Sequence, residues 1–115
     1  MIISEHYNNR AFSVIVGKPV VLQLPENPTT GYSWDSAEWS FPDSVDLLLN
    51  EYKSLGSAVG SGGYRRWVLQ PNKVGTFTFQ LGYQRAWEDH PIKTFQFQLV
   101  VEPEPEPEMK PKDED

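Results

Sequence analysis

Hydrophobic residues recur at every second position over much of this chain. Phe12, Val14 and Val16 alternate with polar or small residues, Gly17-Lys18-Pro19 turns the chain, and Val20, Leu22 and Leu24 alternate again. Tyr32 and Trp34 open another such segment, and Trp67 and Leu69 lie in a later one. The clearest stripes are Phe77, Phe79, Leu81, Tyr83 and then Phe95, Phe97, Leu99, Val101. A period of two means one buried face and one wet face, as in antiparallel sheets. Residues 45–53 are different: Leu47, Leu48 and Leu49 run together and fit either a strand or a helical turn. No segment sustains a helical period with caps. About seven short strands in about 100 residues, separated by turn signals, predict an all-β protein. The expected architecture is an immunoglobulin-like antiparallel β-sandwich without the cysteine pair of antibody domains.

Composition sharpens this picture in three ways. The chain has 115 residues, one domain's worth, and no cysteine, which excludes a disulfide framework, a thiol nucleophile and a Cys-ligated zinc. The net charge of -6 is unevenly placed: residues 102–115 hold 7 acids and 2 lysines, leaving 9 acids and 8 bases in the rest. The body is therefore nearly neutral, without the basic footprint that nucleic acid requires. No apolar run approaches the length of a membrane span. The opening stretch MIISEHYNNR has no basic segment followed by an apolar one. A periplasmic or secreted location would therefore need an export signal that has been trimmed. The tail alternates Glu and Pro from Glu102 to Glu108. It cannot bury a core and is expected to be extended or disordered, reaching on the order of 40 Å at full extension. The expected division is a body of residues 1–101 and an acidic tail of 102–115.

Three inter-strand segments carry unusual chemistry. In Asn27-Pro28-Thr29-Thr30-Gly31-Tyr32, Pro28 fixes its φ and restricts Asn27. The threonines have few rotamers, and Gly31 permits a sharp turn. Taken alone, this stretch is a stiff structural turn. Gly60-Ser61-Gly62-Gly63 leaves backbone donors and acceptors unshielded, which suits either a flexible link or pairing with another chain's backbone. Arg85-Ala86-Trp87-Glu88-Asp89-His90-Pro91 puts a Trp in a polar loop, and Trp and Arg are the residue types most enriched in interface hot spots. Consecutive Glu88, Asp89 and His90 are poorly placed to converge on a metal, and no acid–base pair or nucleophile can be assembled around them, so no catalytic residue and no cofactor is assigned. In an immunoglobulin-like sandwich these three segments would emerge at one end, side by side.

These motifs, in this order, make the sequence similar to the chagasin family of inhibitors of papain-like cysteine proteases. The Asn-Pro-Thr-Thr-Gly-aromatic motif is present in full, the Gly-any-Gly-Gly motif is met by Gly60, Gly62 and Gly63, and Arg85-Ala86-Trp87 stands where the family has Arg-Pro-Trp. The similarity spans roughly residues 7–101. It implies a reversible, tight-binding inhibitor whose first loop enters the protease cleft, with the glycine loop along one side and the Arg-Trp loop on the other. The protease-binding residues it implies are Asn27, Pro28, Thr29, Thr30, Gly31, Tyr32, Gly60, Gly62, Gly63, Arg85, Ala86 and Trp87. Ala86 in place of Pro releases backbone freedom worth about 0.4–1 kcal/mol. The implied partner is a cathepsin-type, papain-like protease, and the protein is expected to be a monomer that binds neither nucleic acid nor membrane. A carbohydrate-binding sandwich is the alternative, with Trp87, Trp39 or Trp67 as stacking platforms, although it leaves the Asn-Pro-Thr-Thr-Gly loop unexplained.

The tail lies beyond the last alternating strand, so deleting residues 102–115 is expected to leave melting temperature and inhibition nearly unchanged. A tenfold loss of affinity, about 1.4 kcal/mol, would give the tail a binding role.

Overall fold

The computed structural model describes residues 1–34, 43–56 and 62–105. Eight strands form two four-stranded sheets packed as a sandwich. The first sheet has the order β1 (Ile2–Ile3), β3 (Val20–Glu26), β6 (Gly63–Pro71), β5 (Val45–Ser54). The second has the order β2 (Arg10–Ile15), β8 (Lys93–Glu102), β7 (Gly75–Arg85), β4 (Tyr32–Ser33). The all-β sandwich expected from the alternation is the observed fold. Alternation reports which face is buried, not which way a neighbour runs. Here β1 runs parallel to β3 and β2 parallel to β8, and the other pairings are antiparallel.

The stripes meet in the middle. Leu22, Leu24, Trp67 and Leu69 from the first sheet pack against Phe79, Leu81, Phe97 and Leu99 from the second, all buried. Phe79 and Phe97 are partners across β7 and β8, and their rings stack with centroids 4.7 Å apart. Ile3, outside any stripe, is fully buried on β1. A two-residue strand is too short for alternation to show, and a 3-10 turn at Glu5–Tyr7 then leads the chain across to β2 in the other sheet.

The ambiguous leucines belong to a strand. β5 pairs with β6 along its length, with a bulge between Leu47 and Leu49. The bulge adds a residue and breaks the alternation that would have marked a strand. Because β5 is the sheet edge, all three leucines remain exposed. β8 ends at Glu102, whose carbonyl accepts a hydrogen bond from the Val16 N–H at 2.9 Å.

Phe79→Ala removes a fully buried ring from the meeting plane of the two sheets. Denaturant unfolding is expected to show a loss of about 3–5 kcal/mol.

Candidate functional site

Three connections leave the same end of the sandwich: residues 27–31 between β3 and β4, 55–62 between β5 and β6, and 86–92 between β7 and β8. Strand register sets their order. Glu26, the last residue of β3, pairs with Gly63, the first of β6, so the first loop starts beside the glycine loop. Tyr32, the first residue of β4, pairs with Arg85, the last of β7, so the first loop ends beside the Trp87 loop. The 27–31 segment thus crosses from one sheet to the other and stands between its two neighbours.

That segment closes on itself. Residues Pro28–Thr30 form a single 3-10 turn, capped by Asn27 in front and by Gly31 behind in the left-handed conformation at φ 84°. The Asn27 side-chain oxygen accepts from the Thr29 N–H at 3.2 Å and from the Thr29 hydroxyl at 2.6 Å. The Thr30 hydroxyl donates to the Asn27 carbonyl at 2.7 Å and accepts from the Tyr32 N–H at 3.3 Å. The Gly31 N–H donates to the Pro28 carbonyl at 3.0 Å. An Asx turn, a proline and a hydroxyl back-bond therefore close the loop on itself, the local restraint that its sequence leads one to expect.

Its neighbours hold the turn from both sides. On the Trp87 side, Arg85 Nε donates to the Thr30 carbonyl at 3.1 Å, and the guanidinium carbon lies 4.4 Å from the centre of the Tyr32 ring and 5.7 Å from that of Trp87. A Cβ built on Gly31 would lie 3.0 Å from the Trp87 ring, a tight contact that the exposed ring can relieve, so it is the positive φ that calls for glycine there. Trp87 itself is 71% exposed. Arg85 braces two loops, a role its motif position did not announce. The turn after it is closed by the Glu88 N–H on the Arg85 carbonyl at 3.1 Å and by Gln84 Nε2 on the Glu88 carbonyl at 2.8 Å.

On the glycine side, Gly62 has φ 74°, and a Cβ there would lie 3.7 Å from the Asn27 side chain. The Gly62 carbonyl accepts from the Leu55 N–H at 3.0 Å. Gly63 is buried between β3 and β5, where any Cβ would run into the Lys53 carbonyl oxygen. Its lack of a side chain is thus a packing requirement. Gly60 lies outside the described residues.

Four residues under the first loop escaped the reading of the sequence. The Tyr83 hydroxyl accepts from the Asn27 N–H at 3.0 Å. Glu26, 3% exposed, receives the Arg65 guanidinium, and its carboxylate also accepts from the Trp34 N–H at 3.1 Å. The Trp34 indole N–H donates to the Pro25 carbonyl at 2.7 Å. Tyr83 and Trp34 were legible only as core aromatics. Glu26 follows Val20, Leu22 and Leu24 in phase, and an acid at a core-facing position was the available signal.

Of the three tryptophans that a sugar could stack on, Trp87 is exposed and available. Trp67 and Trp34 are buried, and Trp39 lies outside the described residues. Among the described residues no group of three His, Cys, Asp or Glu side chains converges on a metal position.

Residues 13–100 match the model of the chagasin family of peptidase inhibitors. This chain belongs to that family. It is an inhibitor, not an enzyme. Among relatives, it is 32% identical over 105 residues to amoebiasin-2 of Entamoeba histolytica, covering 87% of this chain and 84% of that one. It is also 32% identical over 89 residues to chagasin of Trypanosoma cruzi, covering 74% of this chain and 81% of that one. Among solved structures, a cysteine protease inhibitor from Entamoeba histolytica superposes with a TM-score of 0.79 at 30% identity, covering 88% of this chain and 94% of that one.

Gly63→Ala forces the β5 backbone away from β6 where the glycine loop begins. An overpacking cost of about 1–3 kcal/mol is expected in denaturant unfolding.

Proposed function

We propose that this protein inhibits papain-like cysteine proteases, cathepsin-type enzymes among them, by standing the preformed 27–31 turn in the active-site cleft. The glycine loop lies along one wall and Trp87 along the other. Residues 1–101 are the inhibitory unit, acting as a monomer, and the Glu/Pro tail is a spacer. The observation that carries this reading is the self-closure of the Asn27 turn, braced by Arg85 on the Trp87 side. A peptide bond is attacked when it lies with its carbonyl about 3–3.5 Å from the nucleophile in the right orientation. A 3-10 turn with its polar groups already bonded does not uncurl into that geometry, so it fills the cleft without becoming a substrate.

The energetics agree. Three adjacent loops offer a surface of the standard size, about 800 Å² per partner. A turn closed before binding, as 27–31 is, loses little entropy on association, so more of its contact energy appears as affinity. Trp87, largely exposed yet fixed at its base by Arg85 and Gly31, has the character of a hot-spot anchor.

Titrating papain with the protein tests the reading. Hydrolysis is expected to fall to near zero at close to stoichiometric inhibitor. Full activity at large excess would overturn it, and binding to an oligosaccharide array would then favour the carbohydrate module. Trp87→Ala is expected to weaken inhibition by about 2 kcal/mol, roughly thirtyfold, with little change in melting temperature. A large fall in melting temperature with unchanged inhibition would make Trp87 a structural residue.

A further inference from the structure

We propose that the buried Glu26–Arg65 pair is the positioning element of the inhibitory end, fixing the 27–31 turn relative to the glycine loop so that the turn stays uncleaved. This inference rests on the inhibitory role proposed above.

The pair occupies the seam from which both loops spring. Glu26 directly precedes Asn27, and Arg65 stands two residues after Gly63 on β6. Arg65 Nε lies 3.0 Å and 3.1 Å from the two carboxylate oxygens, and Nη2 lies 3.0 Å from one of them. The remaining guanidinium nitrogen, Nη1, donates to the Asn50 side-chain oxygen on β5 at 2.8 Å. The carboxylate takes a further hydrogen bond from the Trp34 N–H, just past β4. One ion pair thus joins the end of β3, the start of β6, the middle of β5 and the exit of β4. These strands bound the first loop at both ends and the glycine loop on both sides.

Its chemistry is costly for a purely structural purpose. Glu26 and Gln84 are the buried polar or charged side chains among the described residues. The Glu26 side chain is 1% exposed and that of Arg65 17%. Exchanging a buried ion pair for an apolar pair of similar volume is often neutral or stabilising. What an apolar pair lacks is direction: a planar fork on a carboxylate sets an angle as well as a distance. Here that fork holds two strands in register directly beneath the wedge.

Two variants test this: the apolar exchange Glu26→Leu with Arg65→Met, and the near-isosteric Glu26→Gln. The amide that Glu26→Gln introduces has one acceptor oxygen and turns donors towards Arg65 or Trp34, so it cannot serve all the present donors. The first measurement needs no protease. Native-state amide hydrogen exchange is expected to speed up by about tenfold or more at Thr29, Thr30, Gly31 and Trp34 in either variant, with the strand cores unchanged. In the second, inhibition of papain is expected to weaken by about tenfold or more, and prolonged incubation to cut the variant within 27–31 while the parent stays intact. The apolar exchange removes the acceptor of the buried Trp34 N–H, so it is expected to unfold somewhat earlier than the parent while the sandwich stays folded. Exchange rates and inhibition like the parent's, or faster exchange spread evenly over the sandwich, would overturn the proposal. Should the apolar exchange not fold, Glu26→Gln gives the same readings. A parent that fails to inhibit papain contradicts the inhibitory role alone, and the exchange measurement still decides the role of the pair.

Discussion

The chain leaves one sheet at Glu26 and enters the other at Tyr32, and the five residues between them must bridge the two layers. Packed sheets lie about 10 Å apart and five extended residues would reach roughly 17 Å, so the surplus length is taken up in a turn. The bridge must turn at the sandwich end, between the connections of the strands that pair with its two flanks. The arrangement of the turn at this end follows from that crossing. Asn27 caps the turn because the first sheet ends immediately before it, Gly31 takes a positive φ because the chain must fold back there, and Arg85 reaches the Thr30 carbonyl because it is the register partner of Tyr32.

The two sides of the wedge are held by different physics. On the Trp87 side the contacts are partly exposed: a cation over two rings, a hydrogen bond to a carbonyl and an ion pair between Arg85 and Glu88 at 3.5 Å. On the glycine side the hold is buried and steric, with Gly63 closed in between two strands and Glu26 paired beneath the surface. Exposed ion pairs contribute little, about 0–1 kcal/mol. The Arg85–Glu88 pair therefore adds little to the hold on the Trp87 side, which rests on the Thr30 carbonyl and the two rings.

Much of this was legible before any coordinates. The period-two stripes of Phe77 to Tyr83 and Phe95 to Val101 named the buried faces of β7 and β8, because burial on one face of a pleated strand leaves that signature directly. The motif residues named the loops. What stayed hidden depends on contacts between distant residues. A two-residue strand at Ile2 and Ile3 is too short to show a period, and a bulge at Leu48 erased the period of β5. Arg85 read as a contact residue because its cation was visible in sequence, while the carbonyl and rings that engage it were not. Glu26 and Arg65 each kept the core parity of their strands, so the charges themselves marked the pair, but only the β3–β6 pairing shows that they meet.

In the proposed mechanism a rigid turn occupies the cleft by shape alone. Without cysteine, this chain cannot form a mixed disulfide with a catalytic thiol, and the closed turn offers that thiol no aligned carbonyl. The direct measurement is a binding isotherm with a papain-like protease whose catalytic cysteine is replaced by alanine, set beside mass spectrometry of the complex with the active enzyme. Occupancy by shape predicts affinity within about tenfold of the active enzyme, roughly 1.4 kcal/mol, and an uncleaved, unmodified inhibitor. A thousandfold loss on the inactive enzyme, or a covalent adduct at Thr29, Thr30 or Gly31, would contradict it and make the turn a trapped substrate.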